Sequence, residues 1–404
     1  MIRIPLLKDN HNHLFSYANL SESVSLFDIT SKKYATKIIT NNASSNKSTF
    51  SIFTGWFDSF YTFNNNDFSN LPPLIICNNS LHNYFLNNSA KDLIIKDFPE
   101  WIKNFDNQNW IEKNLLSIIE YISSIFEFSA EKLKAFLNDS LSKGVISHSD
   151  MFVRNPEIIE FLRNSNLRHF IEIWTDPGFY FALNDKKKEV FKGVKIFTDG
   201  AIGTKTAAID SYKTTSNPIL IHSYKDLSET LEKIIQSKTK VAIHAIGDIA
   251  IEQTLRIIEN FKSCLIEKQV RLEHVQFINK QQALKAKKLG IVLCMQPNFN
   301  MDSIIYSDRL PEKYIVANNP FRMLIDEAGF VPGKDLIFGS DGMPTGINEA
   351  IRQSLFPPVP SQRLNLEEFI EAYCVNSLEY GFIDLDIDPL KNKIISSVIT
   401  EFCF

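Results

Sequence analysis

The sequence predicts an α/β fold built on a parallel sheet, and two observations carry that expectation. Six short β-prone runs, FIEIW, GVKIFTDG, KVAIHAIGD, VRLEHVQ, GIVLCMQP and DLIFGSDG, succeed one another from residue 170 to residue 342. Most are separated by helix-patterned segments such as LSETLEKIIQSK, AIEQTLRIIENFK and KQQALKAKKLG, and strands alternating with helices lie parallel. The second observation is that ionisable groups stand near the ends of several of these runs: Lys195, His244, His274 and Asp341. A barrel assembles its site from the ends of several strands, so a barrel is favoured over an open doubly wound sheet.

Residues 1–13 alternate weakly between apolar and polar and end in HNH, which suits a first strand. From 14 to about 73 the chain is irregular and rich in Asn, Ser and Phe, with the turn-forming clusters NNASSNKS and TFNNNDFSNLPP, and reads as an insertion or loop region near the barrel mouth. LIIC (74–77) is a short strand candidate that leaves His82 just past its end. Residues 91–143 carry helical periodicity in WIEKNLLSIIEYISSIF and AEKLKAFLNDSLSKG and lead into the strand-like GVISHSD. The expected organisation is one barrel domain over residues 1–390 and a short tail over 391–404. A chain of 404 residues is long for one ordinary domain and normal for a barrel with insertions.

Composition narrows the partners. The formal net charge of −4 gives no electrostatic reason to expect nucleic acid or an anionic membrane, and a small-molecule substrate is the natural alternative. The five cysteines, Cys77, Cys264, Cys294, Cys374 and Cys403, show no CxxC spacing and read as reduced thiols. The amino terminus MIRIPLLKDNHNH lacks the pattern of a signal peptide, and no run approaches the roughly 18 apolar residues of a membrane span. The expectation is a cytoplasmic protein.

KDNHNHLF, residues 8–15, sets His11 and His13 one residue apart. In an extended strand residues i and i+2 share a face, so both imidazoles reach one ion. In GVKIFTDG, Lys195 and Phe197 share the face opposite Val194 and Ile196. Barrel strands are buried on both sides; a Lys, two His and an Asp pointing inward each need a partner, and a bound cation satisfies them all. Taken singly, each has a plainer reading. His244 and His274 read as hydrogen-bonded structural histidines, Lys195 as lifting its ammonium to the rim, Asp341 as a turn former, and Asp248 as the N-cap of the helix after it. Six groups at strand ends, two of them in HxH, form the chemical mix that suits a transition metal.

In DNHNHLF, NNSLHNYFLNNSA, VKIFTDGAIGTKTAAIDSY, VAIHAIGDIAIEQTL, RLEHVQF, CMQPNFNMD and GSDGMP, in that order, the sequence resembles the amidohydrolase superfamily of metal-dependent barrel hydrolases, in its YtcJ-like branch. The resemblance implies a distorted TIM (β/α)8 barrel holding one or two divalent transition ions, zinc foremost. It implies the ligands His11, His13, Lys195 as a bridging carbamate, His244, His274 and Asp341. Asp341 is then the group that takes the attacking water's proton and passes it to the leaving amine. His82 matches a histidine of this branch and is expected to polarise the scissile carbonyl or stabilise the oxyanion, with a loop hydrogen bond as its other reading. Asp199, Thr204, Lys205 and Thr206 are expected to shape a loop over the cavity without chemistry of their own.

The sequence departs from that branch in two places. HxH begins at residue 11 and little follows LEYGFIDLDIDPL, so the accessory β-sandwich is expected to be absent or strongly reduced, with a second copy in a homodimer as one cover for the bare barrel end. The motif SDGMP sets its proline further from Asp341 than relatives do, which points to a differently shaped loop. The expected activity is metal-dependent cleavage of a C–N bond in a small, uncharged or weakly charged molecule. Two readings stand beside it: a mononuclear deaminase with His11, His13, His244 and Asp341 on one ion and His274 as acid–base, and a barrel that keeps the fold without catalysis.

Overall fold

The β-prone runs become the staves of a barrel because their two faces are both apolar or paired. In the computed structural model, which describes residues 1–46, 48–214, 216, 218–400 and 402–404, the staves are β1 (Leu7–Asn12), β2 (Val145–Asp150), β3 (Ile171–Thr175), β4 (Phe191–Phe197), β5 (Val241–Ala245), β6 (Val270–His274), β7 (Val292–Met295) and β8 (Leu336–Phe338). Each pairs in parallel with the next. The ring closes between β8 and β1 through individual hydrogen bonds: Asn10 Nδ2 donates to Phe338 O at 2.9 Å, and Asp341 N donates to His11 O at 2.7 Å. Gly339 makes this closure possible, since a Cβ there would fall 2.3 Å from His11 N. The runs expected to build this distorted TIM barrel all do so, whereas LIIC joins a separate four-stranded sheet and the first strand, expected over 1–13, is divided between the stave Leu7–Asn12 and a strand Ile2–Pro5 outside the barrel.

Val194, Ile196, Val241, Ile243 and Leu272 meet the helices outside the barrel, where they pack with Leu231, Ile234, Ile235, Ile251, Leu255 and Ile258. Truncating such a side chain costs about 2–5 kcal/mol, because the packed surroundings collapse only in part. The helix Asp248–Asn260 departs from expectation by one residue: its N-cap is Gly247, and Asp248 lies in the first turn, accepting from Tyr314 Oη. The reason is steric. A Cβ at position 247 would lie 2.1 Å from Ala208 O, so only glycine fits the cap.

The region 14–73 is folded rather than irregular. Helices Leu14–Leu20 and Lys32–Ser45 flank strands Val24–Ser25 and Ser51–Trp56, which join Leu74–Asn78 and Tyr84–Leu86 in a four-stranded sheet of their own. Helices up to Ala130–Ser142 then lead back to β2, so the whole excursion is inserted between the first two staves. Lys47 within it, and Glu401 within the expected tail, lie outside the described residues. Within 391–404, Lys393–Ile399 forms a strand that pairs antiparallel with Phe382–Asp388, which in turn pairs with Ile2–Pro5. This three-stranded sheet is anchored by buried Ile4, Ile383 and Leu385. No helix among the described residues is long and apolar enough to cross a membrane.

Candidate metal centre

A cavity of about 360 Å3 opens at the carboxyl ends of the staves, lined by His11, His13, His82, His244, His274 and Asp341. The register of β1 against β2 shifts between Asp9 and Asn12, the stretch that carries His11, and His13 follows as the N-cap of Leu14–Leu20. His11 Nδ1 lies 2.6 Å from Glu273 Oε2, which leaves Nε2 facing Asp341 Oδ1 at 3.6 Å; His13 Nε2 is 3.4 Å from the same oxygen. Ligand atoms of His11, His13 and Asp341 all lie within 4.8 Å of one another. The ring centroids of His11 and His274, and of His274 and His244, are each 4.6 Å apart.

The rings of His274 and His244 have partners behind them. His274 Nδ1 is 2.8 Å from Gln296 Oε1, and His244 Nε2 is 3.2 Å from Gly200 O and 3.3 Å from Asp199 Oδ1. A hydrogen bond behind each ring fixes which nitrogen is left for an ion. His274 and Asp341 reach the cavity from backbone in the left-handed region, at φ 69° and 56°. A side chain held there by its surroundings is a common feature of functional sites.

Electrostatics favours neutral imidazoles. Burial first, and then the positive charges of Lys195 and neighbouring histidines, push His11 far down and His13 to about 3; burial and His244 do the same to His274. Asp341 is pushed up by burial, and Lys195 down by burial. Lys195 Nζ is buried with no hydrogen-bond partner among the described residues, 4.9 Å over the Phe197 ring. Three neutral imidazoles with carboxylate oxygen beside them, and a partnerless buried amine, fit a divalent cation better than they fit an empty site.

His82 stands apart. It sits past the end of Leu74–Asn78, as expected, but its sheet belongs to the excursion, and its Nδ1 is 2.7 Å from the buried carboxylate of Glu112. Burial alone would push His82 down; the Glu112 charge and hydrogen bond override it and hold the imidazole above its usual range. The loop 199–206 divides its roles. Asp199 accepts from the backbone N–H of Ala208, Ile246 and Gly247, Thr204 and Thr206 donate to Glu112, and Lys205 Nζ reaches out to Thr214. Glu112, Glu273 and Gln296 were not legible in the sequence. A glutamate directly before the histidine of β6 was the one available signal.

Comparison with known proteins agrees with this geometry. A family model described as "Amidohydrolase family" matches residues 130–352, more than half of the chain. YtcJ of Bacillus subtilis (strain 168), an amidohydrolase by description, is 33% identical over 112 residues, 27% of this chain and 21% of that protein. Protein LONG AFTER FAR-RED 3 of Arabidopsis thaliana is 26% identical over 225 residues, 51% of this chain and 38% of that protein. The matches thus span well under half the length of either curated relative. The crystal structure of an uncharacterised metal-dependent hydrolase from Pyrococcus horikoshii OT3 superposes with a TM-score of 0.64 at 21% identity, covering 91% of this chain and 79% of that one. One from Pyrococcus furiosus gives 0.62 at 20%, covering 91% and 80%. With a barrel of this topology and a family match over most of its staves, the chain belongs to the amidohydrolase family and resembles its YtcJ-like branch.

Proposed function

We propose that the protein is a metal-dependent hydrolase that cleaves a C–N bond of an amide-type small molecule. The observation that carries the reading is the convergence of His11, His13 and Asp341 on one point, with the imidazoles kept neutral by burial. His11, His13, His244, His274 and Asp341 would hold the ions, with Lys195 as a bridge. For that role the Lys195 amine adds to carbon dioxide, forming an N–C bond and releasing a proton, so that a partnerless nitrogen becomes an anionic carbamate. A divalent ion bound there, zinc foremost, supplies Lewis acidity that brings the pKa of a water toward neutrality.

The chain's own groups do the rest. The Asp341 carboxylate takes the proton of the attacking water and returns it to the amine nitrogen as the C–N bond breaks. His82 Nε2–H donates to the carbonyl oxygen as negative charge develops on it. The cavity wall is largely apolar, with Leu81, Leu115, Phe197, Ile202, Ile246 and Phe299, and among the described residues no lysine or arginine lines it; Lys195 lines a neighbouring cavity that shares Phe197 with this one. Away from the proposed ions and His82, nothing in the wall would pair with a substrate carboxylate, so the wall favours a neutral molecule with an apolar substituent.

Purified protein is expected to carry divalent ions and to hydrolyse members of a panel of N-acyl, N-formyl and cyclic amides, losing turnover on chelation and regaining it with added zinc. Full turnover after exhaustive metal removal would sink the reading. Release of ammonia from amino-heterocycles, with only one ion bound, would support the deaminase instead.

A further inference from the structure

We infer that Glu112 is a positioning residue for the reaction: it fixes the ring of His82 so that Nδ1–H is committed behind the ring and Nε2–H is presented to the cavity. The inference rests on the amide-hydrolase reading for its consequence, and on the geometry alone for the positioning.

Glu112 lies on the helix Gln108–Ser124, whose Ile111, Leu115, Ile118 and Ile122 pack into the core beneath the excursion. Its side chain has 0% exposure, in a helix where a lone charge would ordinarily face water. Burying a carboxylate is costly unless its lone pairs are filled, and here they are. His82 Nδ1 lies 2.7 Å from Oε2, while Thr206 Oγ1 at 2.7 Å, Thr204 Oγ1 at 3.1 Å and Gln108 Nε2 at 3.2 Å donate to Oε1. Gln108 Nε2 also donates to His82 O at 2.7 Å, so the same helix holds both the ring and the backbone of this residue.

The loop after β4 closes the arrangement from the other side. A Cβ on Gly200 would lie 2.1 Å from Thr206 Oγ1 and 2.9 Å from Glu112 Cδ, so the loop is pressed against the carboxylate with no room to spare. Two distant stretches of chain thus meet on Glu112: the loop 199–206, and the segment whose histidine lines the cavity.

A simple structural clamp would need the carboxylate and its donors, but would have no use for an imidazole held at one nitrogen. The carboxylate stabilises a proton on Nδ1 by direct acceptance, and its charge stabilises the second proton on Nε2. Without it, a neutral ring chooses between two tautomers, one of which offers the substrate a lone pair where a donor is needed.

The test compares wild type with Glu112→Gln in the zinc-loaded full-length protein, reading both kinetics and the nitrogen-15 spectrum of the histidine rings, with the His82 signals assigned by their loss in His82→Phe. The expected result is a fall in kcat on the order of 10²-fold with KM little changed. Metal content should stay constant, and the His82 ring should lose the pattern of a proton fixed on Nδ1. An unchanged His82 ring pattern in Glu112→Gln overturns the inference, whatever the activity. So does an unchanged kcat with only a lower Tm. If Glu112→Gln is recovered unfolded, Glu112→Asp keeps the charge and withdraws it by one methylene, and a wild-type ring pattern and kcat there count against the inference in the same way. Should wild type hydrolyse no amide at all, the amide-hydrolase reading fails by itself, and the ring pattern still decides the positioning.

Discussion

At the ends of the staves, His11, His13 and His274 stand among one another and near the Lys195 amine, and burial with those neighbours keeps them neutral. On the excursion, His82 is buried as well, but a carboxylate lies 2.7 Å from its Nδ1 and shifts the ring's pKa up instead of down. Neutral imidazoles offer lone pairs and suit a cation; a charged one offers N–H and suits a developing oxyanion. The residue type is the same in both regions, and the neighbour decides its use. On this account the barrel binds and the inserted sheet donates.

The comparison breaks most visibly at His13. His13→Ala removes one of the three ligand atoms that cluster within 4.8 Å. Ion content should fall and hydrolysis drop to background, read by elemental analysis beside turnover. A variant with full ion content and full activity would remove His13 from the binding region. Next comes Lys195→Ala, which should lower the ion count by at least one per chain. Turnover should be partly restored by a short carboxylic acid such as propionate filling the vacated bridge. Undiminished ion content would place Lys195 outside the ligand set.

His82→Ala sharpens the contrast from the other side. Turnover should fall on the order of 10²-fold, the scale of one lost oxyanion donor, while ion content stays at the wild-type value. Loss of ions in this variant would merge the two regions into one.

The smallest effect is expected at the opposite end of the barrel, where Glu172 lies between Lys8 Nζ at 3.5 Å and Lys192 Nζ at 2.8 Å. Burial would raise this carboxyl, but the two lysines overrule it and hold it at about 2, below its unfolded value. A depressed folded pKa contributes stability that is present above about 4.5 and is lost as the pH falls from there toward about 2. Glu172→Gln should therefore cost on the order of 2 kcal/mol at neutral pH, after discounting for partial exposure, and should flatten the acid limb of the stability curve. Denaturant titrations at neutral and acid pH check this, with kcat expected to be unchanged.

The staves were legible because each is a short apolar run bounded by helix patterns, and the ligand candidates because each ends such a run. HNH, Lys195, His244, His274 and Asp341 stood out as candidates by type and position, and the structure brings His11, His13 and Asp341 within 4.8 Å of one another. The excursion was not legible. Val24–Ser25 is only two residues long, and Ser51–Trp56 is surrounded by Asn, Ser and Phe that read as loop, so its sheet is defined by pairing between segments distant in sequence. Glu112 was hidden for a different reason. In WIEKNLL a glutamate between apolar residues looks like the wet side of an amphipathic helix, and only the approach of Thr204, Thr206 and His82 reveals that it faces inward. Glu273 was hidden by its neighbour: His274 drew the chemistry, while alternation along β6 puts Glu273 and Arg271 on the same inner face. Partners behind a ligand depend on tertiary contact, and the sequence alone carries little trace of them.

The division between a binding barrel and a donating excursion is tested most directly by a crystal structure of the protein as purified, with anomalous diffraction recorded at the transition-metal edges. The account predicts anomalous density bonded to His11, His13 and Asp341, extending to His244, His274 and a carboxylated Lys195 if two ions are present, with His82 Nε2 free of any ion and still paired through Nδ1 to Glu112. An ion bonded to His82, or density absent from the His11–His13–Asp341 cluster while a metal is held elsewhere, would contradict it.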